Sequence, residues 1–157
     1  MRSSRRAAVL ALALLLPASL AALPGGAEEL ASSGEGWITG KAALTELVSD
    51  RTHYRDRSDG SSEVEYQAPD GRSAYLWDNC VERGQWWVTE QEVCFFYPDT
   101  ALQGPHCFRV KRNGKQQIEF WWSGDPLAPL PTATTVDERP GNAERLPLGV
   151  TGECVMS

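Results

Sequence analysis

The chain is poor in residues that do chemistry. It has two histidines, His53 and His106, and no GxSxG, HExxH or glycine-rich phosphate loop, so nucleophilic, zinc-hydrolase and nucleotide-dependent catalysis have no signature in it. The four cysteines, Cys80, Cys94, Cys107 and Cys154, form no CxxC pair, and no HxxxH pair accompanies them. A zinc site would have to be assembled from Cys94, Cys107 and His106, against the general pattern of closely spaced ligands. Cations are outnumbered by acids, 15 to 21, which argues against nucleic acid and anionic membranes as partners. No catalytic residue, cofactor or metal ligand is therefore expected.

Long apolar runs are also scarce. The one that exists, residues 7–16, follows Arg2, Arg5 and Arg6 and ends at Pro17 among small residues. That is the build of an export signal, with cleavage expected after Ala27, and the run is too short to span a bilayer. Stable membrane insertion after cleavage is not expected. Removal of residues 1–27 takes three arginines and no acid, moving the formal charge from −6 to −9, and leaves about 130 residues, enough for one domain with a real core. An even number of cysteines in an exported chain points to two disulfides and to a periplasmic or secreted location.

After a polar leader, residues 28–36, the spacing of Ala43, Leu44, Leu47 and Val48 predicts a short amphipathic helix over 39–48, capped by Thr39 and packed as a lid. From residue 51 the period changes to 2. Candidate strands run over 51–55, 62–68, 72–77, 85–89, 92–97, 106–112 and 115–122, separated by turn signals at Ser58-Asp59-Gly60, Pro69-Asp70-Gly71, Glu90-Gln91 and a type I′ signal at Asn113-Gly114, with 78–84 as a longer connection. Within 62–68, Val64, Tyr66 and Ala68 alternate with Glu63, Glu65 and Gln67, so the apolar set is expected inside and the glutamates in solvent. His53 is placed on an outer face with Arg51 and Arg55 by the same alternation.

Seven strands on short connections predict a mainly β fold, an antiparallel meander curling into a small, partly closed barrel over residues 37–124. Residues 125–157, with five prolines between 126 and 147, read as an irregular tail held by Cys154. The centre of the domain is the stretch 84–110, which carries Trp86, Trp87, Cys94 and Cys107. A hairpin loop centred near Thr100 and Ala101 brings residues 94 and 107 face to face, favouring a Cys94–Cys107 bridge and, by elimination, Cys80–Cys154. The alternative joins Cys80 to one of the central pair and Cys154 to the other.

Adjacent tryptophans on a strand point to opposite faces, so the pairs Trp86/Trp87 and Trp121/Trp122 must each send one ring outward. Together with Tyr75 they make a candidate binding surface for an unknown protein, a glycan or a small apolar ligand. The expected role is a non-enzymatic binding or structural module. The alternative is a protease inhibitor or envelope stress protein acting through the 98–105 loop, since tethering at both ends lowers the ordering cost of binding.

Residues 66–72 (Tyr66-Gln67-Ala68-Pro69-Asp70-Gly71-Arg72), Gly84-Gln85-Trp86, Val93-Cys94-Phe95-Phe96-Tyr97 and Cys107-Phe108-Arg109-Val110 before Asn113-Gly114 resemble motifs of a family of small exported proteobacterial proteins, a domain of unknown function. The resemblance covers 42–122 and implies a periplasmic β-rich domain without an assigned activity. A looser likeness is to barrel-type bacterial protease inhibitors, which share a signal peptide, a Gly-x-Trp strand and a disulfide.

Overall fold

The computed structural model describes residues 36–98 and 104–149, and the backbone of 32–33 and 155–156. The expected signal, residues 1–27, lies outside the described residues, as do Cys154 and positions 99–103 of the 98–105 loop.

The protein is a closed eight-stranded antiparallel barrel plugged at one end by a helix. Two short pairing segments, β1 (Ser32–Ser33) and β2 (Trp37–Ile38), precede helix α1 (Lys41–Val48). The barrel strands are β3 (Arg51–Arg57), β4 (Ser62–Gln67), β5 (Arg72–Trp77), β6 (Cys80–Val88), β7 (Val93–Phe96), β8 (His106–Arg112), β9 (Ile118–Trp122) and β10 (Ala133–Pro140); β11 (Val155–Met156) adds to β6. Strands β3 to β9 pair in sequence as a meander, and β10 closes the ring by pairing with both β9 and β3. Closure covers the outer edge of β3 and the mouth-side part of the β9 edge that a seven-strand meander would leave exposed.

The closing strand comes from the segment read as an irregular tail. Its pattern hides it: a bulge between Thr135 and Asp137 shifts the register against β3, so inward positions run Ala133, Thr135, then Glu138, and the period of 2 fails across Val136. Two connections also differ from expectation. Asp78 and Asn79 both take positive φ, 46° and 63°, the two-residue geometry that favours a tight hairpin, and β6 starts at Cys80 within what read as a long connection. At Asn113-Gly114 there is no two-residue turn. The Asn113 carboxamide accepts from the amides of Lys115 and Gln117, holding a five-residue loop, and β9 begins at Ile118.

Helix α1 buries Leu44, Leu47 and Val48 against Trp86, Val93, Phe95, Val110, Ile118 and Phe120. Its N-cap is Gly40 rather than Thr39. The helix sits at the end where β3 begins and β8 ends, next to Arg51, Arg112 and Glu138.

A second core lies outside the barrel. Val64, Tyr66, Ala68, Ala74, Leu76 and Val81 form an outward apolar stripe covered by Leu146 and Leu148 of the tail. The tail is pinned by Thr52, whose hydroxyl donates to Gly141 O (2.6 Å) and accepts from Ala143 N (3.0 Å). The Asn142 carboxamide clasps the Leu146 backbone, donating to its carbonyl and accepting from its amide, each at 2.8 Å. The alternation in β4 therefore has the opposite sense to that expected. Its apolar side faces out, under the tail, and Glu63, Glu65 and Gln67 face the lumen, all buried.

The Cys94–Cys107 bridge is present, on directly opposed residues of β7 and β8. Cys80 is also disulfide-bonded, and Cys154, its expected partner, falls outside the described residues; β11 pairs Met156 with Cys80. Among the described residues, no helix is long and apolar enough to cross a membrane.

Candidate functional site at the open mouth of the barrel

The end opposite the helix is the mouth, where β3, β5, β7 and β9 finish and β4, β6, β8 and β10 start. Beneath it lies a buried ionic cluster. Turn residues 58–61 set Arg55 opposite Glu63 in the register of β3 and β4, so one hairpin places both charges on one inner face. The Arg55 guanidinium pairs with Glu63 Oε1 through Nε (2.7 Å) and with Glu65 through Nη2. Its flat faces lie near two rings, 5.0 Å from the Phe120 centroid and 5.9 Å from that of Phe95. Arg57, nearer the mouth, donates to Glu63 Oε2 (2.9 Å) and to Tyr75 Oη (3.1 Å), while the Tyr75 hydroxyl donates to Glu63 Oε2 (2.6 Å). Tyr97 donates its hydroxyl to Glu65. Two arginines and two glutamates give the cluster zero net formal charge.

These contacts shift the titration of each group. Burial would lower the Arg55 pKa, but Glu65 and Glu63 outweigh it and hold the guanidinium charged. For Glu63, burial is overcome by Arg55, Tyr75 and Arg57, and the carboxyl titrates below its ordinary range. For Glu65, deeper in the lumen, burial wins over Arg55 and Tyr97, and its pKa is raised. Burial and the adjoining carboxylates push both Tyr75 and Tyr97 up, so each phenol stays a hydrogen-bond donor. His53 lies beside this cluster, opposite Glu65 in the lumen, and not on an outer face. Burial first, then Arg55 and Arg51, lower its pKa to about 3, and neither ring nitrogen has a hydrogen-bonding partner among the described residues. Glu63 and Glu65 are thus not solvated surface charges. They are paired, each carboxylate oxygen being held by an arginine or a tyrosine.

Above the cluster stand exposed aromatics. Trp77 closes β5 at 45% exposure, its indole N–H donating to Glu82 Oε1 (2.9 Å). Trp122 closes β9 at 41% exposure and packs against His106, ring centroids 6.2 Å apart. Strands β5 and β9 are four positions apart around an eight-strand ring, so these indoles flank the mouth from opposite sides. The 123–132 connection beside Trp122 carries Leu127, 90% exposed, and Leu130, 62% exposed, on a turn in which Ala128 N donates to Asp125 O (3.2 Å). Phe96, the last residue of β7, is exposed on the outer wall, opposite Gln85 and on the face of Cys94 and Trp87.

The tryptophans named from sequence divide as parity requires, with different fates. Trp86 points inward and is buried, its indole donating to Ala68 O (2.8 Å); it is a core residue and leaves the candidate contact set. Trp87 points out and is exposed, opposite Cys94. Trp121 faces outward into a ladder with Trp37 (6.0 Å, edge on) and Lys111, whose ammonium lies 4.4 Å from the Trp121 centroid. Trp122 and Tyr75 alone of the five belong to the mouth. The sequence reading left out Trp77, Leu127 and Leu130 as contact residues, and took the arginine–glutamate cluster for surface charge. A signal for the cluster existed: the 58–61 turn sets Arg55 against Glu63. Glu92, Cys94 and Cys107 come close enough to suggest a metal triad, but the two sulfurs are bonded to each other and offer no thiolate.

No family model, curated protein or solved structure matches this chain.

Proposed function

We propose that the protein is an exported, non-enzymatic binding module that docks a partner protein with its barrel mouth. The observation that carries this reading is where the exposed apolar side chains lie. Of the seven large hydrophobic residues that stay exposed among the described residues, Trp77, Trp122, Leu127 and Leu130 are at the mouth end. An apolar rim over a neutral, rigid ionic floor suits contact with another apolar surface better than retention of a charged substrate. The disulfide supports an oxidising compartment, periplasmic or extracellular. A non-catalytic role is supported by the state of the lumen, where both carboxylates are held by arginines and tyrosines and His53 is locked neutral.

Tryptophan fluorescence titration tests this directly, with fractionated envelope proteins, glycans and lipid vesicles as titrants. A blue shift with a protein fraction is expected, and its loss in a Trp122→Ser/Leu127→Ser/Leu130→Ser variant. Absence of a shift with every titrant, or an equal shift in the variant, would overturn the reading.

A second reading, a protease inhibitor acting through the 98–105 loop, draws on the Cys94–Cys107 bridge beneath that loop. Assay against a panel of secreted proteases separates the two, since unaffected turnover at micromolar protein would remove it.

A further inference from the structure

The barrel wall is not zipped along its full height. Strands β9 and β10 share two register pairs, Ala133↔Phe120 and Thr134↔Glu119, whereas β10 pairs with β3 at seven positions. Beyond Thr134 β10 has no register pair with β9, and its edge from Thr135 to Pro140 faces no strand among the described residues. A cleft of about 230 Å³ opens there, between Ile118 and the 115–117 loop on one side and residues 135–138 on the other. A second cleft of about 140 Å³ continues it beneath helix α1, and Arg112 and Glu138 line both.

Two further observations indicate what the cleft takes. The first is charge. Its acids are already paired, Asp137 to Arg139 of the same strand (3.1 Å) and Glu138 to Arg51 of β3 (3.9 Å). Its cations are not. Arg112 donates to a backbone carbonyl, Gln116 O (2.8 Å), and neither Arg112 nor Lys115 pairs with a carboxylate among the described residues. The second is Thr135, which is buried and lines the cleft, yet its hydroxyl has no hydrogen-bonding partner among the described residues.

We infer that this lateral cleft binds an extended peptide segment, which adds as a strand to the free edge of β10 and sets a carboxylate, its own C-terminus or an acidic side chain, on Arg112 and Lys115. A free strand edge supplies main-chain donors and acceptors in the spacing an extended peptide matches, and flanking side chains supply selectivity. Two cations without carboxylate partners select the anion. The site lies on the wall toward the helix end, away from the mouth, and does not depend on the reading above.

The test is fluorescence anisotropy of the full chain with a library of labelled hexapeptides bearing free C-terminal carboxylates, each paired with its amidated form or its Asp/Glu→Asn/Gln form. Some members should bind at micromolar Kd, weakening about tenfold or more when the carboxylate is neutralised and likewise in Lys115→Gln, a side chain that makes no hydrogen bond among the described residues. Arg112→Gln should act in the same direction. Amide resonances of residues 135–139 should shift on titration while the indole resonances of Trp77 and Trp122 stay in place. The inference is overturned if no peptide binds more tightly than millimolar, if Lys115→Gln and carboxylate neutralisation leave affinity unchanged, or if the shifts fall at the mouth instead.

Discussion

Arg55 is the residue on which the barrel interior most depends, and Arg55→Met isolates its charge. Methionine keeps an unbranched, polarizable chain between Phe95 and Phe120 but leaves Glu63 and Glu65 buried without their shared cation, since Arg57 reaches only Glu63. Breaking a buried pair by removing one partner costs about 3–5 kcal/mol. Total stability for a domain of this size is about 5–15 kcal/mol, so roughly a fifth or more of it should go, with Tm falling by roughly 10–15 °C. The loss should depend on pH. In the variant Glu65, whose pKa burial already raises, loses its guanidinium partner, and Glu63 keeps only Arg57 and Tyr75; both carboxyls then titrate higher than in wild type, so the gap to wild type narrows as pH falls between 7 and 4. Urea unfolding followed by near-ultraviolet circular dichroism, at pH 7 and at pH 4.5, measures both. A further Glu65→Met change should recover much of the stability, because it removes the orphaned charge. A deficit under 1 kcal/mol at pH 7, or one unchanged at pH 4.5, would refute the claim that Arg55 balances two desolvated carboxylates.

Two other outcomes follow from the lumen. His53 has its pKa depressed to about 3 by burial and then by Arg55 and Arg51. The unfolded chain therefore binds a proton near pH 6.5 that the folded chain refuses until about pH 3, and stability should fall by roughly 5 kcal/mol across that window. His53→Phe should flatten this acid limb while leaving stability at pH 8 equal or higher, as chemical denaturation at stepped pH would show; an acid limb of unchanged steepness would count against His53 as its source. At Gly84 a Cβ would sit 2.3 Å from Phe96 O and 2.5 Å from Tyr97 Cδ1. Gly84→Ala should therefore displace Tyr97 from Glu65 and destabilise by about 1–3 kcal/mol, readable as a lower Tm; an unchanged Tm would mean that Tyr97 is not held against this strand.

Much of the fold was legible locally. The switch from a 3.6 to a 2 period at residue 51, the turn residues and the even cysteine count are covalent or short-range signals, and each reports on its own few residues. They specify a helix followed by a meander, and hairpin symmetry alone opposes Cys94 to Cys107. Parity along a strand likewise dictates that Trp86 and Trp87 part company, without saying which goes in.

The tertiary structure decided what alternation cannot. A period of 2 says that β4 has two unlike faces, and in a barrel whose outside can also be covered either face can be the wet one. Here the tail supplies Leu146 and Leu148 to the outside, which frees the lumen to take Glu63 and Glu65 once Arg55 and Arg57 neutralise them. The closing strand was equally invisible, because the bulge at Val136 breaks its parity and its partners, β3 and β9, lie about eighty and fifteen residues away. Sequence determined the helix, the seven meander strands and their order; closure supplied the eighth strand and decided which side of each faces the lumen, because those choices are made by residues far away in the chain.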